Sequence, residues 1–120
     1  MPQKVLIVDD SLLIHNLLAS TLISNGYEIC GDAMNGKEAV EKYEELKPDI
    51  VFMDITMPIK DGLQASREIK EKDPNAKIIM LTAMGDQEVR GEADEIGISV
   101  FLKKPFNDYK IISALSQLVV

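Results

Sequence analysis

Val5-Leu6-Ile7-Val8 runs straight into Asp9-Asp10, so a purely aliphatic stretch stops on two adjacent acids. A continuous apolar run this short fits a strand buried on both faces, as in a parallel sheet. Ile50-Val51-Phe52-Met53 repeats the pattern and ends on Asp54, and Ile78-Ile79-Met80-Leu81 repeats it and ends on Thr82. Val100-Phe101-Leu102 is a shorter version leading to Lys103-Lys104-Pro105. Tyr27 to Ala33 is more mixed, which suits an edge strand.

The intervening segments carry apolar residues at helical spacing. Leu13, Leu17, Leu18 and Leu22 mark a first helix stopped by Asn25-Gly26, and Ala39, Val40, Tyr43 and Leu46 a second ended by Pro48. Leu63 to Lys72 forms a third, closed by Asp73-Pro74; Val89, Ala93 and Ile96 give a fourth, stopped by Gly97. Ile111, Ile112, Leu115, Leu118 and Val119 give a fifth, with Asn107 or Asp108 as N-cap. Strand and helix alternate throughout, which predicts an α/β fold: a five-stranded parallel sheet with helices on both faces. The 120 residues contain no linker and no solenoid-type repeat, so residues 1–120 are expected to form one domain.

Composition narrows the function. Twenty acidic against thirteen basic residues give a net charge of −7, which argues against direct binding of nucleic acid or an anionic membrane. Cys30 is the only cysteine, so an intrachain disulfide and a cysteine-based zinc site are excluded and a reducing, cytoplasmic setting is expected. No apolar run approaches the roughly 18 residues that cross a bilayer, and Met1-Pro2-Gln3-Lys4 does not open a signal peptide.

In open α/β sheets the reacting groups sit beyond the carboxyl ends of the strands. There this chain places Asp9, Asp10, Asp54, Thr82 and Lys104. Singly, each has a plain structural explanation: Asp10 or Ser11 as a helix cap, Thr82 as an ordinary strand-end residue, Lys104-Pro105 as a turn. Together they are a chemical set. Three close carboxylates repel, and at least one should have a raised pKa unless a cation joins them. A hard divalent ion with oxygen ligands relieves the repulsion, and Mg²⁺ suits a site that keeps several waters. One carboxylate could then attack phosphorus, with the ammonium and hydroxyl holding the phosphoryl oxygens.

Val8-Asp9-Asp10-Ser11, Asn35-Gly36-Lys37-Glu38-Ala39, Met53-Asp54-Ile55-Thr56-Met57-Pro58 with Asp61-Gly62, Leu81-Thr82-Ala83, and Phe101-Leu102-Lys103-Lys104-Pro105-Phe106 together resemble the receiver domains of two-component response regulators. The likeness is strongest to the stand-alone receivers of chemotaxis, and it covers essentially the whole chain. It implies a flavodoxin-like, doubly wound sheet of strand order 2-1-3-4-5. It also implies a phospho-accepting switch that catalyses only its own phosphorylation and dephosphorylation.

By that resemblance Asp54 matches the phosphoacceptor. Asp10 and Asp54 match direct Mg²⁺ ligands, Asp9 a ligand acting through water, and Thr56 the main-chain carbonyl that completes the set. Lys104 matches the phosphate-pairing lysine, and Lys104-Pro105 a bond that is typically cis. Thr82 matches the switch hydroxyl and Phe101 the aromatic that turns from outward to inward, remodelling the surface of the fourth helix, fifth strand and fifth helix. The implied partners are a histidine kinase as phosphodonor and a protein target on that surface, the flagellar motor switch if the role is chemotactic. A monomer is expected.

Other residues are assigned from position. Lys103 should face solvent on the same side as Phe101. His15, the only histidine, is expected to be a solvated helix residue, and Cys30 inert packing. Met57 and Met84 should flank the site as apolar lids, and Thr56 and Met84 match positions that tune access of water to the acyl phosphate. Gly91 lies inside the fourth helix, and it departs from the family pattern with Asp94 and Ile98, on the expected output face. The chain ends at Leu118-Val119-Val120, around the close of its fifth helix, which favours a stand-alone switch over a receiver cut from a longer regulator. Two other classes are disfavoured. Phosphatases of the haloacid-dehalogenase kind place a second Asp two residues after the nucleophile, where this chain has Thr56. A flavodoxin-like cofactor carrier would need a Gly/Ser/Thr-rich phosphate loop where this chain has Asp9-Asp10.

Overall fold

The computed structural model describes residues 2–83 and 87–118. Strands and helices alternate: β1 (Lys4–Val8), α1 (Leu12–Ser24), β2 (Glu28–Ala33), α2 (Gly36–Leu46), β3 (Ile50–Asp54), α3 (Gly62–Lys72), β4 (Ile78–Thr82), α4 (Gln87–Glu95), β5 (Val100–Lys103) and α5 (Asp108–Gln117). All neighbouring strands are parallel, in the order β2-β1-β3-β4-β5. The connection from β1 to β2 runs one way along the sheet and those from β2 to β5 the other, so crossovers of the usual right hand place helices on both faces.

Side-chain alternation sorts the buried runs into two layers. Val5, Ile7, Ile50, Phe52, Ile79 and Leu81 pack against Leu18 and Leu22 of α1 and Ile111, Ala114 and Leu115 of α5. Leu6, Val8, Val51, Met53 and Met80 pack against Ala39 of α2, Ala65 and Ile69 of α3, and Ala93 of α4. Because both faces are covered, β1, β3 and β4 read as unbroken apolar runs. Edge strand β2 is only half-buried over much of its length, and its pairing with β1 slips between Val5 and Leu6. Cys30 is the extra residue at that slip, and its thiol points to the Val5 carbonyl at 3.5 Å. Burial pushes this thiol's pKa up, so it is a poor nucleophile.

Among the described residues, four helices begin on side-chain caps. Ser11 accepts from the Ile14 amide, Asp61 from Gln64 and Asn107 from Lys110, which settles Asn107 over Asp108 as the last cap. At α2, Asn35 accepts from the Glu38 amide at 2.9 Å while the Glu38 carboxylate accepts from the Met34 amide at 3.0 Å, a reciprocal pair of the capping-box kind.

One expectation about α1 is corrected. Leu13 is exposed and His15 is buried, at 7% accessibility. Leu13 stands five residues before Leu18, about 140° away around a helix of 3.6 residues per turn, whereas His15 stands three before it. The face that meets the sheet is therefore His15, Leu18 and Leu22.

Gly91 sits inside α4 with open space where a Cβ would go, and its backbone is not left-handed. Gly91→Ala should therefore stabilise the chain by about 1 kcal/mol through helix propensity. A higher urea midpoint with an unchanged slope is the expected result; a lower midpoint would mean that the glycine has a packing role.

Candidate functional site

The three apolar strands β1, β3 and β4 end at one rim, and the polar residues that stop them converge there. One carboxylate oxygen from each of Asp9, Asp10 and Asp54 lies within 4.8 Å of the others. Lys104, just past β5, sends its ammonium to Asp9 Oδ2 at 2.9 Å and Asp54 Oδ1 at 3.2 Å. The Lys104–Pro105 peptide is cis. Asp9 is fully buried, Asp54 nearly so, and Asp10 exposed.

Asp9 is held tightly. Its Oδ1 accepts the Ser11 amide at 2.9 Å and its own amide donates to the Ala33 carbonyl. Oδ2 is buried beside the Lys104 ammonium yet lies outside hydrogen-bond direction. Three close carboxylates set against the one Lys104 ammonium leave excess negative charge at this rim, which is an opening for a further cation. All the donors are hard oxygens, which matches Mg²⁺ in kind, so the residues present fit the ion.

The electrostatics follow. Burial, with the Asp9 charge next in weight, pushes the Asp54 carboxyl from 3.8 up to about 6; Lys104 opposes this without cancelling it. Burial works against the Lys104 ammonium, but Asp9 and Asp54 outweigh it and its pKa ends above the ordinary lysine value. The Asp9 share of the shift is the repulsion that the sequence predicted, and burial, which adds the larger share, is not.

A pH dependence follows from the sign. The folded chain holds the Asp54 proton more strongly than the unfolded chain, so this group's contribution is greatest in acid and declines as pH rises from about 3.8 through about 6. In EDTA, the stability of the parent chain relative to Asp54→Asn should fall between pH 4 and pH 7, and Mg²⁺ should reverse the fall at neutral pH. Urea melts across that range check it; a difference independent of pH would contradict it.

The turn after Asp54 is unusually close. The amide of Gly62 donates to the Ile55 carbonyl at 2.7 Å, and a Cβ on Gly62 would lie 1.8 Å from the Asp54 carbonyl oxygen. The Gly36 amide likewise donates to Lys60, whose carbonyl oxygen would be 2.3 Å from a Cβ on Gly36. Between these contacts the Lys60 amide bonds the Pro58 carbonyl around Ile59, whose φ is +70°. That is a γ-turn of the strained, positive-φ kind, carried by an exposed β-branched residue.

The remaining expected site residues fall near this rim. Thr56 is exposed two residues past Asp54, and Met57 is buried behind it; Met84 lies outside the described residues. Thr82 is buried, and its carbonyl accepts the Lys104 amide at 2.7 Å. Asp54 is level with Leu81 and Thr82 with Lys103, so Thr82 reaches one residue further toward the rim. Strand alternation places Thr82, Phe101 and Lys103 on one face, and Lys103 is exposed as expected. Phe101 is half-buried, with the Arg90 guanidinium carbon 4.7 Å from its ring centre, a cation–π contact.

Sequence reasoning missed four participants. Gly36 and Gly62 make close backbone approaches that no pattern of residue types displays. Arg90 meets Phe101 only through the packing of α4. His15, expected to be solvated, is the fourth, although with Leu18 and Leu22 it completes an i, i+3, i+7 face that could have placed it in the core. Its Nε2 lies 2.6 Å from the Asp9 carbonyl oxygen.

Comparison with known proteins gives a consistent result. The family model described as a response regulator receiver domain matches residues 5–116. The chemotaxis protein CheY of Thermotoga maritima is 50% identical over 117 residues, covering 98% of each chain; CheY of Bacillus subtilis is 43% identical with the same coverage. Among solved structures, a CheX–CheY complex with BeF3 and Mg²⁺ from Borrelia burgdorferi superposes with a TM-score of 0.95 at 36% identity, over all of this chain and 91% of that one. With the acidic rim, the strand order and these matches in agreement, the chain belongs to the family of response regulator receiver domains.

Proposed function

We propose that residues 1–120 act as one phosphorylation-controlled switch, in which Asp54 takes a phosphoryl group from the phosphohistidine of a sensor kinase. The observation that carries this is the meeting of Asp9, Asp10, Asp54 and Lys104 at one rim. An Asp54 carboxylate oxygen attacks phosphorus, the P–N bond to the donor imidazole breaks, and the imidazole takes up a proton. Mg²⁺, held by Asp10 and Asp54 directly, by Asp9 through water and by the Thr56 carbonyl, would neutralise the crowded carboxylates and admit the phosphoryl oxygens. Lys104 already spans Asp9 and Asp54, so its ammonium stands where a phosphoryl oxygen on Asp54 would need a counter-charge. The Thr82 hydroxyl offers a further donor from the neighbouring strand.

The output follows from the same face. Drawing Thr82 toward a phosphorylated Asp54 frees space for Phe101 to turn inward, which alters the surface of α4, β5 and α5. A protein target reads that surface. Likeness to two CheY proteins makes chemotaxis the setting we propose, with the flagellar motor switch as target. In this reading the chain is cytoplasmic and monomeric, binds neither nucleic acid nor membrane directly, and turns over no separate substrate. No described helix is long and apolar enough to cross a membrane.

Incubation with radiolabelled acetyl phosphate tests the proposal. Acid-stable, base-labile label should appear with Mg²⁺ and vanish in EDTA; equal labelling in EDTA would overturn the metal-assisted mechanism. Pull-downs with and without beryllofluoride should recover different partners, and identical sets would count against a switch.

A further inference from the structure

We infer that His15 is a positioning residue for the metal site, acting through the main chain of Asp9 to aim Asp10. The inference rests on reading Asp9, Asp10 and Asp54 as the Mg²⁺ site. His15 is buried on α1, and its side chain leans back toward the start of that helix, as helical side chains do. Its Nε2 stands 2.6 Å from the Asp9 carbonyl oxygen. A carbonyl only accepts, so Nε2 carries the proton and donates.

That carbonyl belongs to the peptide joining Asp9 to Asp10, at the point where the chain leaves the sheet for α1. Beyond Val8 the ladder to β3 has ended, so the sheet gives this carbonyl no fixed direction on that side. The three carboxylates differ in what holds them. Asp9 is fixed by the Ser11 amide and Lys104, and Asp54 by Lys104. Asp10 is exposed, and among the described residues no hydrogen bond or ion pair holds its carboxylate. Its aim is set by its backbone, and the orientation of the peptide before it is pinned by His15. Groups that orient a metal ligand without touching the metal typically change affinity tenfold or more.

Calorimetric titration with Mg²⁺ at neutral pH tests this on the intact chain. His15→Leu, which loses the donor, should bind Mg²⁺ roughly tenfold more weakly. His15→Gln, which keeps an N–H at similar reach, should return to within about twofold of the parent. In acetyl phosphate labelling, the Mg²⁺ concentration for half-maximal rate should rise about tenfold in His15→Leu, while the maximal rate changes less than about twofold. Parent-like Mg²⁺ affinity in folded His15→Leu overturns the inference, as does failure of folded His15→Gln to recover. If His15→Leu does not fold, the parent chain decides. His15 is the only histidine, so its ring signals are assigned directly in a ¹⁵N-labelled sample. The Nε2–H resonance should move saturably with Mg²⁺ at the calorimetric affinity, and a stationary resonance overturns the inference. Absence of Mg²⁺ binding to the parent is a different outcome: it removes the metal reading itself.

Discussion

Asp54→Asn abolishes phosphoryl labelling while leaving the fold intact. The asparagine keeps the shape of the side chain but has no anionic oxygen to attack phosphorus, so labelling should drop by at least about a thousandfold, to background. The fold survives because the substitution removes a liability. Asp54 is a buried carboxyl that burial and Asp9 hold at a pKa of about 6, and Lys104 keeps its other partner in Asp9. In EDTA at neutral pH the variant should therefore melt at a higher temperature than the parent. Mass spectrometry of the labelled chain completes the measurement. Undiminished label in Asp54→Asn would move the acceptor to another carboxylate, Asp10 first because it is the exposed one at the rim.

Gly62→Ala should cost about 3 kcal/mol or more, and it should damage chemistry as well as stability. The added carbon would stand 1.8 Å from the Asp54 carbonyl oxygen and 2.7 Å from the carbonyl carbon. Both are main-chain atoms, so no rotamer change can make room. Either α3 is pushed off the strand end or the Asp54 main chain moves, and the Gly62–Ile55 hydrogen bond is strained in both cases. A displacement of about 1 Å at the nucleophile can lower the rate roughly a hundredfold. Urea denaturation and labelling at saturating Mg²⁺ read the two effects separately. A variant with the parent's midpoint and rate would show that this contact relaxes at no cost.

Most of the architecture was legible because both faces of the sheet are covered. Three unbroken apolar runs announce the buried strands and a shorter one the edge strand β5, and the residues that stop them form a chemical set. The strand order came with the family resemblance, since periodicity says which segments are strands but not which lie side by side. Asn107 and Asp108 were equivalent as caps until the Lys110 amide was seen to choose Asn107. Leu13 misled because leucine at near-helical spacing looks like core, while the sheet-facing stripe in fact runs through a histidine. Gly62 and Gly36 were visible only as letters in a motif. Their function is to be absent as side chains, and that shows only when the opposing backbone is in place.

The two outer strands carry a further consequence. An unpaired rim of main-chain amides and carbonyls invites another molecule's strand to add on, which is how soluble domains begin to aggregate. Here β2 breaks its own register at Cys30 and presents Glu28 and Asp32 to solvent, while β5 is four residues long and ends on exposed Lys103. A kinked border with two acids and a stubby border ending in a cation make poor templates for edge-to-edge growth. Even when crowded, copies of this chain are expected to stay dispersed rather than zip into an extended β-structure.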